Sequence, residues 1–458
     1  MEFKKTICCI GAGYVGGPTM TVIALKCPEY KVEVVDIDEA KIAKWNSDRL
    51  PIYEPGLEEI IRATRGKNLF FHTNMARAIK ESEVIFVSVN TPTKQHGEGA
   101  GMAADLRYWE STARTIREHA EGHKIVVEKS TLPVRTADAM AKILCNLSDC
   151  KSFEIVSNPE FLAEGSAIKD LLEPDRVLIG ARDTEKGRQA AFAIEEIYLH
   201  WVPKERILLS SVWSSELSKL VSNALLAQRI SSINSITPLC EITGADIREV
   251  SRAAGMDSRI GGKFLNASVG FGGSCFKKDI LNLVYIARSY GLEEVADYWE
   301  WVVRMNDYQK HRFVKTMIRA MFNTLANKRI CLFGFAFKAN TSDTRETPAL
   351  YITQKLLEED ASVVITDPKA LENARSDLKG LSGNIEFVED PYEAAKGSDA
   401  IAVITEWELY RNLDYGRIYD TMQKPAFIFD GRNILDHKAL HSIGFQVYPL
   451  GARPLLHW

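Results

Sequence analysis

Short apolar runs alternate with segments of helical periodicity along most of this chain. The runs, each about five residues long, are typical of strands buried in a parallel sheet. Between them, apolar residues recur at the spacing of one helix face. This alternation predicts an α/β fold. The predicted strands are residues 6–10, 31–35, 83–89, 124–128, 153–157, 329–333, 362–366, 400–405 and 426–429.

The longest predicted helix covers residues 214–243. It offers a serine start, many good helix formers and a glycine after its end. Lys219 and Asn223 lie one turn apart on it, flanked by apolar residues on a face that we expect to be buried. A lysine on a buried face requires a partner or a function. The alternative is a lysine whose stem lies along the surface with its charge in water.

A glycine-rich turn follows the first predicted strand and opens a helix. Its residues are Gly11-Ala12-Gly13-Tyr14-Val15-Gly16, and Asp36 ends the next strand about 20 residues further on. In this context Gly11 makes the turn, Gly13 lets a pyrophosphate approach the backbone, and Gly16 lets helix and strand pack closely. The diphosphate rests on the helix N-terminus, and Asp36 accepts hydrogen bonds from ribose hydroxyls. Because a carboxylate repels a 2′-phosphate, the motif predicts NAD rather than NADP.

Polar turns follow two further predicted strands. One is Asn90-Thr91-Pro92-Thr93, and the other is Ser130-Thr131-Leu132-Pro133. Ligands of open α/β sheets lie beyond the carboxyl ends of the strands, so both turns are expected to face the cofactor. The alternative is ordinary turn chemistry, in which the same residue types are common.

A proline opens the segment after the predicted strand 153–157. Pro159 suits a first helical turn, and Glu160 and Glu164 then have helical spacing. We therefore expect a helix here, with both acids on one face. The alternative is that the acids only complement the helix dipole.

One cysteine ends a second glycine-rich loop. The stretch is Gly270-Phe271-Gly272-Gly273-Ser274-Cys275-Phe276-Lys277-Lys278-Asp279, and the apolar periodicity after the cysteine predicts a helix that begins just after Cys275. Glycines let a ligand approach the backbone, and the helix start with Lys277 and Lys278 favours a thiolate. Asp279 lies one turn after Cys275, so both face the same way. An activated cysteine beside a carboxylate suggests covalent catalysis on a carbonyl carbon, whereas most free cysteines are small buried apolar residues.

A second α/β pattern begins after residue 327. It resembles a degenerate nucleotide-binding half, because it repeats the strands and helices without the full glycine triplet. Lys338 and Arg432 follow strands there, where they could bind an anionic nucleotide other than the dinucleotide. The prediction is thus two Rossmann-like doubly wound domains joined by a long central helix, with boundaries at residues 1–212, 213–325 and 326–458.

Composition restricts the class of partner. At 458 residues the chain is too long for one core. A formal net charge of −4 gives no overall basic field for nucleic acid or an anionic membrane, and there is no apolar run long enough for a transmembrane helix. The eight cysteines lack metal-ligand spacing, so no metal is predicted, and a reducing cytoplasmic compartment fits best. Cys8 and Cys9 are expected in the core. Five others have no suggestive context, namely Cys27, Cys145, Cys150, Cys240 and Cys331.

Together these motifs resemble the UDP-glucose 6-dehydrogenase family. The matching segments follow the family's order over almost the whole chain. Their amino-acid sequences are most similar to those of animal-type members, especially in residues 229–235 and 264–279. They are residues 10–17, 90–93, 128–131, 158–165, 214–223, 259–279, 334–338 and 430–432.

The resemblance implies a four-electron oxidation. The C6 alcohol of UDP-glucose becomes the carboxylate of UDP-glucuronate, with two NAD⁺ and one water consumed. Cys275 would trap the aldehyde as a thiohemiacetal, which a second hydride transfer turns into a thioester. Covalent capture would explain why the aldehyde does not escape.

The resemblance also implies roles for other side chains. Lys219 would stabilise the developing oxyanion, with Asn223 alongside. Asp279 and Thr131 would hold water for proton transfer and hydrolysis, and Glu160 would assist as an acid or base. The implied cofactor-binding residues are Gly11, Gly13, Tyr14, Val15, Gly16, Asp36, Lys41, Val89, Asn90, Thr91, Ser130, Thr131, Glu164, Lys278 and Arg345. The implied substrate-binding residues are Glu160, Phe161, Leu162, Glu164, Lys219, Asn223, Arg259, Phe264, Gly272, Phe337, Lys338 and Arg432.

In the family Arg259 reaches the substrate of a neighbouring subunit. The resemblance therefore implies a homo-oligomer, a hexamer built from dimers. It also implies UDP-xylose as a feedback inhibitor, as in animal-type members.

The chain departs from the animal-type pattern at three places. Asn266 stands where lysine is usual, which removes one charge near the substrate. Lys41 replaces an arginine near the adenosine, so the charge is kept and planar stacking is lost. Ala339-Asn340 replaces a more charged pair. None of these changes removes a catalytic group.

Three other functions remain open at this point. A sister 6-dehydrogenase acting on GDP-mannose or a UDP-N-acetylhexosamine would share the chemistry and differ in its sugar pocket. A non-catalytic NAD- and nucleotide-binding regulator would be expected to lack a catalytic group, but Cys275, Lys219 and Asp279 are all present. A simple two-electron dehydrogenase would leave Cys275 without a role.

Overall fold

The chain divides into two compact units, each built around one sheet. The computed structural model describes residues 3–145 and 153–457. Unit 1 contains Met1–Ser222 and Leu281–Leu292, and unit 2 contains Asn223–Ile280 and Glu293–Trp458. The three-domain division predicted from the sequence stays a prediction.

The described part of unit 1 contains an eight-stranded sheet. Its strands are β1 (Lys5–Ile10), β2 (Tyr30–Val35), β3 (Leu69–His72), β4 (Val84–Val87), β5 (Lys124–Glu128), β6 (Phe153–Ser157), β7 (Val177–Ala181) and β8 (Ile207–Ser211). Their spatial order is β3-β2-β1-β4-β5-β6-β7-β8, and β6 and β7 are the antiparallel pair. The chain order reverses between β1 and β4, which is where doubly wound sheets bind ligands.

Both faces of this sheet are buried. Ile7 and Cys9 belong to one apolar cluster, and Cys8 and Ile10 belong to another, because successive side chains of a strand point to opposite faces. The continuous apolar run of β1 therefore reflects burial on two sides. The helices of the unit are α1 (Gly16–Lys26), α2 (Glu39–Trp45), α3 (Leu57–Thr64), α4 (Met75–Glu81), α5 (Arg107–His119), α6 (Thr136–Leu144), α7 (Ala167–Leu172) and α8 (Glu185–Tyr198), with a short 3₁₀ helix at Lys204–Arg206.

A helix of 32 residues, α9 (Val212–Thr243), follows β8. The boundary between the two units falls within it. Lys219 is 7% exposed and Asn223 is 5% exposed, so the face that carries them is buried as predicted. The next helices are α10 (Ile247–Gly255), α11 (Phe276–Ser289) and α12 (Glu293–Ala320).

Unit 2 repeats the same strand order in an all-parallel sheet. Among its described residues the strands are β9 (Arg329–Phe333), β10 (Ser362–Thr366), β11 (Ile385–Phe387), β12 (Ala400–Val403), β13 (Phe427–Asp430) and β14 (Gln446–Pro449), and their spatial order is β11-β10-β9-β12-β13-β14. The helices are α13 (Pro348–Glu358), α14 (Leu371–Asp377), α15 (Pro391–Ala395), α16 (Glu408–Arg411), α17 (Tyr415–Thr421) and α18 (His437–Ile443). The predicted fold class, with two Rossmann-like domains and a long central helix, is confirmed.

The cysteines separate into a buried set and one exposed residue. Cys8, Cys9, Cys27, Cys240 and Cys331 are buried, Cys145 is half-buried, and Cys275 is exposed. Burial raises the pKa of Cys9 and of Cys27 to about 12, so those thiols stay protonated. Cys150 lies outside the described residues.

Candidate active site

The glycine turn between β1 and α1 has no spare room at two of its glycines. Gly11 has a φ of +108°, and a methyl group there would lie 2.5 Å from the Ser88 carbonyl oxygen. At Gly16 a methyl group would lie 2.0 Å from the Gly11 carbonyl oxygen. A methyl group at Gly13 would meet no described atom within 4 Å, so the backbone there is open to a ligand. These are the conditions that a dinucleotide motif requires.

Asp36, directly after β2, is held by three donors. Its Oδ2 accepts from the Ala12 N–H at 2.9 Å and lies 3.0 Å from Lys41 Nζ, and its Oδ1 accepts from the Asp38 N–H at 3.0 Å. Burial acts to raise the pKa of Asp36, but these donors outweigh it and hold the pKa below its usual value. The carboxylate is therefore ionised and able to accept ribose hydroxyls. With the open backbone at Gly13, the residues present fit NAD.

Hydrogen bonds tie together the chain segments after β4 and β5. Ser130 Oγ donates to the Val89 carbonyl at 2.7 Å, and Thr91 Oγ1 donates to the Thr131 carbonyl at 3.1 Å. Asn90 is exposed between them. The two polar turns thus lie together at the carboxyl edge of the sheet, as their positions predicted.

The helix predicted for Glu160 and Glu164 is wrong. Residues 158–166 are irregular, and α7 begins only after them. The Glu160 carboxylate turns back to accept from the N–H groups of Phe161 at 2.8 Å and Leu162 at 3.0 Å. Carboxylates elsewhere in unit 1 accept from further amides of this segment. Because side chains satisfy these amides, a helical ladder is not needed.

A buried lysine that the sequence motifs did not reveal faces Glu160. Lys129 Nζ lies 2.9 Å from Glu160 Oε2, 3.1 Å from Asn158 Oδ1 and 3.0 Å from the Tyr198 hydroxyl. Burial opposes both charges, but their attraction outweighs it, so the pKa of Glu160 is lowered and the pKa of Lys129 is raised. A lysine directly after an apolar strand was the available signal, since a buried cation requires a partner.

Lys219 lies against an aromatic ring. Its Nζ is 5.1 Å from the centre of the Phe161 ring, and the Arg176 guanidinium carbon is 3.8 Å from the same centre. Arg176 also donates to Ser222 Oγ at 3.3 Å. Since Phe161 follows Glu160, unit 1 brings a cation and an acid of the predicted site to one short segment.

The glycine loop before Cys275 is held by contacts within unit 2. The Asn306 side chain accepts from the Phe271 N–H at 2.8 Å and donates to the Phe271 carbonyl at 3.0 Å. A methyl group at Gly272 would lie 2.6 Å from the Glu346 carbonyl oxygen, so a larger residue does not fit there. The loop therefore has one defined path to the cysteine.

Cys275 is positioned directly before α11. The Asp279 N–H donates to the Cys275 carbonyl at 2.8 Å, which makes the first helical turn and places both residues on one face as predicted. Asp279 is fully buried and accepts from Asn223 Nδ2 at 2.6 Å and from Lys278 Nζ at 2.6 Å. Burial acts to lower the pKa of Lys278, but Asp279 and the cysteine outweigh it and raise the pKa. An exposed thiol thus begins a turn that contains a lysine–carboxylate–amide cluster.

Two cations of unit 2 follow strands of its sheet. Arg432 lies after β13, where its Nε donates to the Ile404 carbonyl at 2.6 Å and its Nη2 donates to the Phe337 carbonyl at 2.7 Å. Its Nη1 lies 3.2 Å from the Glu406 carboxylate. Lys338 Nζ lies 5.6 Å from the centre of the Phe337 ring. Arg432 therefore joins the segments after β9 and β12, at the edge where the sequence predicted an anionic nucleotide.

Asp367 has in unit 2 the topological position that Asp36 has in unit 1. Its Oδ2 accepts from the N–H groups of Phe335 at 2.7 Å and Ala336 at 3.0 Å and from Trp407 Nε1 at 3.1 Å. Its Oδ1 accepts from the amides of two residues that follow it, both at 2.8 Å. With five protein donors on two oxygens, this carboxylate has little capacity left for a ribose.

Four more predicted residues have contrasting surroundings. Arg259 is 87% exposed and Arg345 is 50% exposed, and each pairs at 2.6 Å with the aspartate two residues before it. Phe264 has a φ of +63° and is 39% exposed. Glu164 is half-buried in unit 1. The functional roles predicted for these residues stay predictions.

Neither a membrane span nor a metal centre is found in residues 3–145 and 153–457. No helix there has the length and apolar character to cross a membrane. No group of three or more His, Cys, Asp or Glu side chains is placed to hold a metal ion.

Sequence models of one protein family match three successive parts of the chain. The NAD binding domain of the UDP-glucose/GDP-mannose dehydrogenase family matches residues 5–202, its central domain matches residues 213–308, and its UDP binding domain matches residues 331–437. UDP-glucose 6-dehydrogenase 1 of Arabidopsis thaliana is 56% identical over 471 residues, which cover 99% of this chain and 98% of the plant protein. The chain belongs to the UDP-glucose/GDP-mannose dehydrogenase family.

Other UDP-glucose dehydrogenases also resemble this chain over nearly its full length. UDP-glucose 6-dehydrogenase 1 of Glycine max is 56% identical over 472 residues, covering 99% of this chain and 98% of that protein. A solved UDP-glucose dehydrogenase from the archaeon Pyrobaculum islandicum superposes with a TM-score of 0.86 at 32% identity, covering 99% of this chain and 98% of that one. The family predicted from the motifs is confirmed. The relatives from Arabidopsis thaliana and Glycine max are plant proteins, and the likeness to animal-type members stays a prediction.

Proposed function

We propose that this chain catalyses the NAD-dependent oxidation of UDP-glucose to UDP-glucuronate. The observation that carries the proposal is the turn from Cys275 to Asp279, in which an exposed thiol begins a helix whose buried carboxylate is bonded to Asn223 and Lys278. A nucleophile beside an organised carboxylate suits covalent capture followed by hydrolysis. The likeness to UDP-glucose 6-dehydrogenases over 99% of the chain supplies the substrate.

The cofactor end of the reaction belongs to unit 1. NAD⁺, when bound, would supply the hydride acceptor for each of the two oxidation steps. Gly13 leaves the backbone open for the pyrophosphate, and the ionised Asp36 accepts the ribose hydroxyls. We assign the turns that contain Thr91 and Ser130 to the edge of the cofactor site, because their hydrogen bonds hold the chain ends of β4 and β5 together.

The first oxidation converts the C6 alcohol to an aldehyde. The hydroxyl proton leaves to a base as the hydride leaves from C6. We assign to Lys219 the stabilisation of the negative charge that develops on the C6 oxygen. Burial of Lys219 strengthens this electrostatic effect. Glu160 assists as an acid or base, and Lys129 keeps it ionised in the resting state.

The second oxidation proceeds through a covalent intermediate. The Cys275 thiolate adds to the aldehyde carbon, and the carbonyl oxygen gains a proton, which gives a thiohemiacetal. Loss of the remaining C6 hydride and of the hydroxyl proton gives a thioester. Water then adds to the thioester carbon and the C–S bond breaks, which releases the carboxylate and regenerates the thiol. We assign the placement of this water to Asp279 and Thr131.

We infer that the chain acts as a homo-oligomer, a hexamer built from dimers. Arg259 is 87% exposed, which suits a residue that reaches a neighbouring subunit. By the family resemblance we also propose UDP-xylose as a feedback inhibitor. Light scattering of the purified chain and inhibition by UDP-xylose test these two points separately.

The decisive experiment counts NADH formed per UDP-glucose consumed, with the sugar limiting and NAD⁺ in excess. A ratio of about two supports the four-electron reaction, whereas a ratio of about one removes the covalent route. No NADH with UDP-glucose, but turnover of GDP-mannose or a UDP-N-acetylhexosamine, would assign the chain to a sister substrate.

Two variants locate the covalent step. Cys275→Ser is expected to stop after aldehyde formation and to lose uronate production. Cys145→Ser, at a half-buried cysteine elsewhere in the chain, is the matched control and is expected to behave like wild type. Normal uronate production by Cys275→Ser would contradict the assignment.

A further inference from the structure

Two glutamates from different elements meet in the interior of unit 1. Glu128 ends β5 and is 1% exposed, and Glu216 lies near the start of α9 and is 2% exposed. Neither oxygen of Glu128 receives a hydrogen bond from a described donor, and the group within hydrogen-bonding reach is the Glu216 carboxyl. Two ionised carboxylates offer only acceptors. The contact therefore requires a proton between them.

Glu216 also holds the beginning of α6. Its Oε2 accepts from the Arg135 N–H at 2.7 Å, and its Oε1 accepts from the Ala137 N–H at 2.8 Å. Arg135 is the residue before α6 and has a φ of +74°, a left-handed conformation that is costly for a residue other than glycine. Glu128 precedes the loop 129–135, and Glu216 binds its far end. One carboxyl pair thus constrains both ends of the loop.

Nearby charges are engaged elsewhere. Lys129, the next residue after Glu128, pairs with Glu160, and Lys219, one turn after Glu216, lies over the Phe161 ring. On α6, Asp138 adds a further negative charge, which Arg182 at 3.4 Å and Trp213 Nε1 at 3.1 Å partly offset. The Arg135 side chain stacks on the Trp213 ring, with its guanidinium carbon 4.9 Å from the ring centre. The residue of β6 in register with Glu128 is Ser157, which is uncharged.

We propose that Glu128 and Glu216 share one proton, and that this proton positions the loop 129–135, with its residues Ser130 and Thr131, for the reaction. The inference rests on the proposed function, because it gives the pair a positioning role in that reaction. Loss of the proton places two buried charges of the same sign in contact. Their repulsion then loosens the loop and the bonds that Ser130 and Thr131 make to the segment after β4.

The titration of the pair supports this geometry. Burial and the neighbouring carboxyl raise the pKa of Glu128 well above its usual value. Burial raises the pKa of Glu216 from 4.5 to about 7, against the opposing effect of the two N–H donors. A raised pKa means that the folded chain holds the proton more tightly than the unfolded chain. The stabilisation is therefore complete below pH 4.5 and begins to fall as Glu216 titrates at about 7. The last proton of the pair leaves only at higher pH, through the raised pKa of Glu128.

Glu128→Gln removes the shared proton while it keeps the size and shape of the side chain. The amide of the glutamine donates permanently to Glu216, which then ionises and keeps both of its N–H donors. Wild type is expected to lose kcat/KM on the alkaline side of about pH 7, as the last proton of the pair leaves through the raised pKa of Glu128. In Glu128→Gln that decline moves up by at least about one pH unit. Glu195→Gln, a matched change at a buried glutamate on α8, is expected to leave the profile unchanged.

A second variant and a spectroscopic readout complete the test. Glu216→Gln also supplies a permanent donor, but it keeps only one oxygen to accept from the N–H groups of Arg135 and Ala137. It is therefore expected to move the decline in the same direction with some loss of stability. Infrared difference spectra at about pH 8, where Glu216 with its pKa of about 7 is ionised, should show the C=O stretch of the protonated Glu128 carboxyl in wild type and its loss in Glu128→Gln. Absence of that band in wild type would overturn the shared proton, whatever the activity. Two glutamine variants with lower stability and an unshifted pH profile would reduce the pair to a structural role. A chain that has the band but does not oxidise UDP-glucose would refute the proposed function alone.

Discussion

Replacement of Lys129 by methionine tests the buried ion pair most directly. Methionine keeps much of the side-chain volume and removes the ammonium group that contacts Glu160 Oε2, Asn158 Oδ1 and the Tyr198 hydroxyl at 2.9–3.1 Å. The Lys129 side chain is 3% exposed and the Glu160 side chain is 13% exposed, so water cannot replace the lost partner fully. Removing one member of such a pair costs about 3–5 kcal/mol, since the other charge stays buried.

The effect of this change on stability depends on pH. The pKa of Glu160 is lowered in the folded chain, so its stabilisation is present above its unfolded value of 4.5 and is lost as the pH falls through the folded pKa. The pKa of Lys129 is raised, so its stabilisation is present below 10.5 and is lost as the pH rises through the folded pKa. The destabilisation by Lys129→Met is therefore full at neutral pH. It shrinks toward about pH 5, because an unpaired buried glutamate takes up a proton there.

Amide hydrogen exchange of β5 and β6 is the suitable measurement, because it reports the opening of unit 1 without assuming that the whole chain unfolds in one step. At neutral pH the expected loss speeds exchange by roughly 10²- to 4 × 10³-fold. Lys204→Met is the control, since Lys204 is 77% exposed and 3.9 Å from Glu195, and we expect a change below about 0.5 kcal/mol. If amide exchange in Lys129→Met is accelerated less than about tenfold, or equally at neutral pH and at about pH 5, the reasoning is refuted.

Three further substitutions test other parts of the site. Gly13→Ala introduces no clash in the ligand-free chain, so its melting temperature should be unchanged while calorimetry shows NAD⁺ binding weakened by at least about tenfold; an unchanged Kd would argue against the pyrophosphate position. Asn223→Ala removes one donor from the fully buried Asp279 and should destabilise the start of α11 by about 1–3 kcal/mol in hydrogen exchange; unaltered exchange there would show that the amide is dispensable. Asn266→Lys introduces the charge that the animal-type pattern would place near the substrate, and we expect it to lower the KM for UDP-glucose in steady-state assays; an equal or higher KM would contradict that resemblance.

Several elements could be predicted because their signal is local. Strands β5, β6, β9 and β10 have the predicted bounds, since each is a short, mostly apolar run with a polar residue or turn at its end. The shared face of Cys275 and Asp279 also follows from local spacing, because the helix begins where the glycine loop ends.

The parts that sequence did not reveal depend on partners distant in the chain. Gly165 N–H donates to Glu54, which is 111 positions away, and bonds of this kind replace the helix expected around Glu160. In the sequence, Lys129 precedes β6 and Glu160 follows it, although the two side chains are in contact. No spacing rule relates Glu128 to Glu216 either. Such pairs arise only when the strand order brings the elements together.

The contrast between Asp36 and Asp367 has a practical consequence for redesigning cofactor preference. Asp36 has three protein donors, and the backbone beside it is open. If Asp36 accepts the ribose hydroxyls as proposed, an exchange there changes the preference between NAD and NADP. Asp367 accepts hydrogen bonds from five donors of the surrounding protein. An exchange there would therefore destabilise the fold rather than alter coenzyme selectivity. A library aimed at a new coenzyme should therefore vary the first acid and its neighbours and keep the second one fixed.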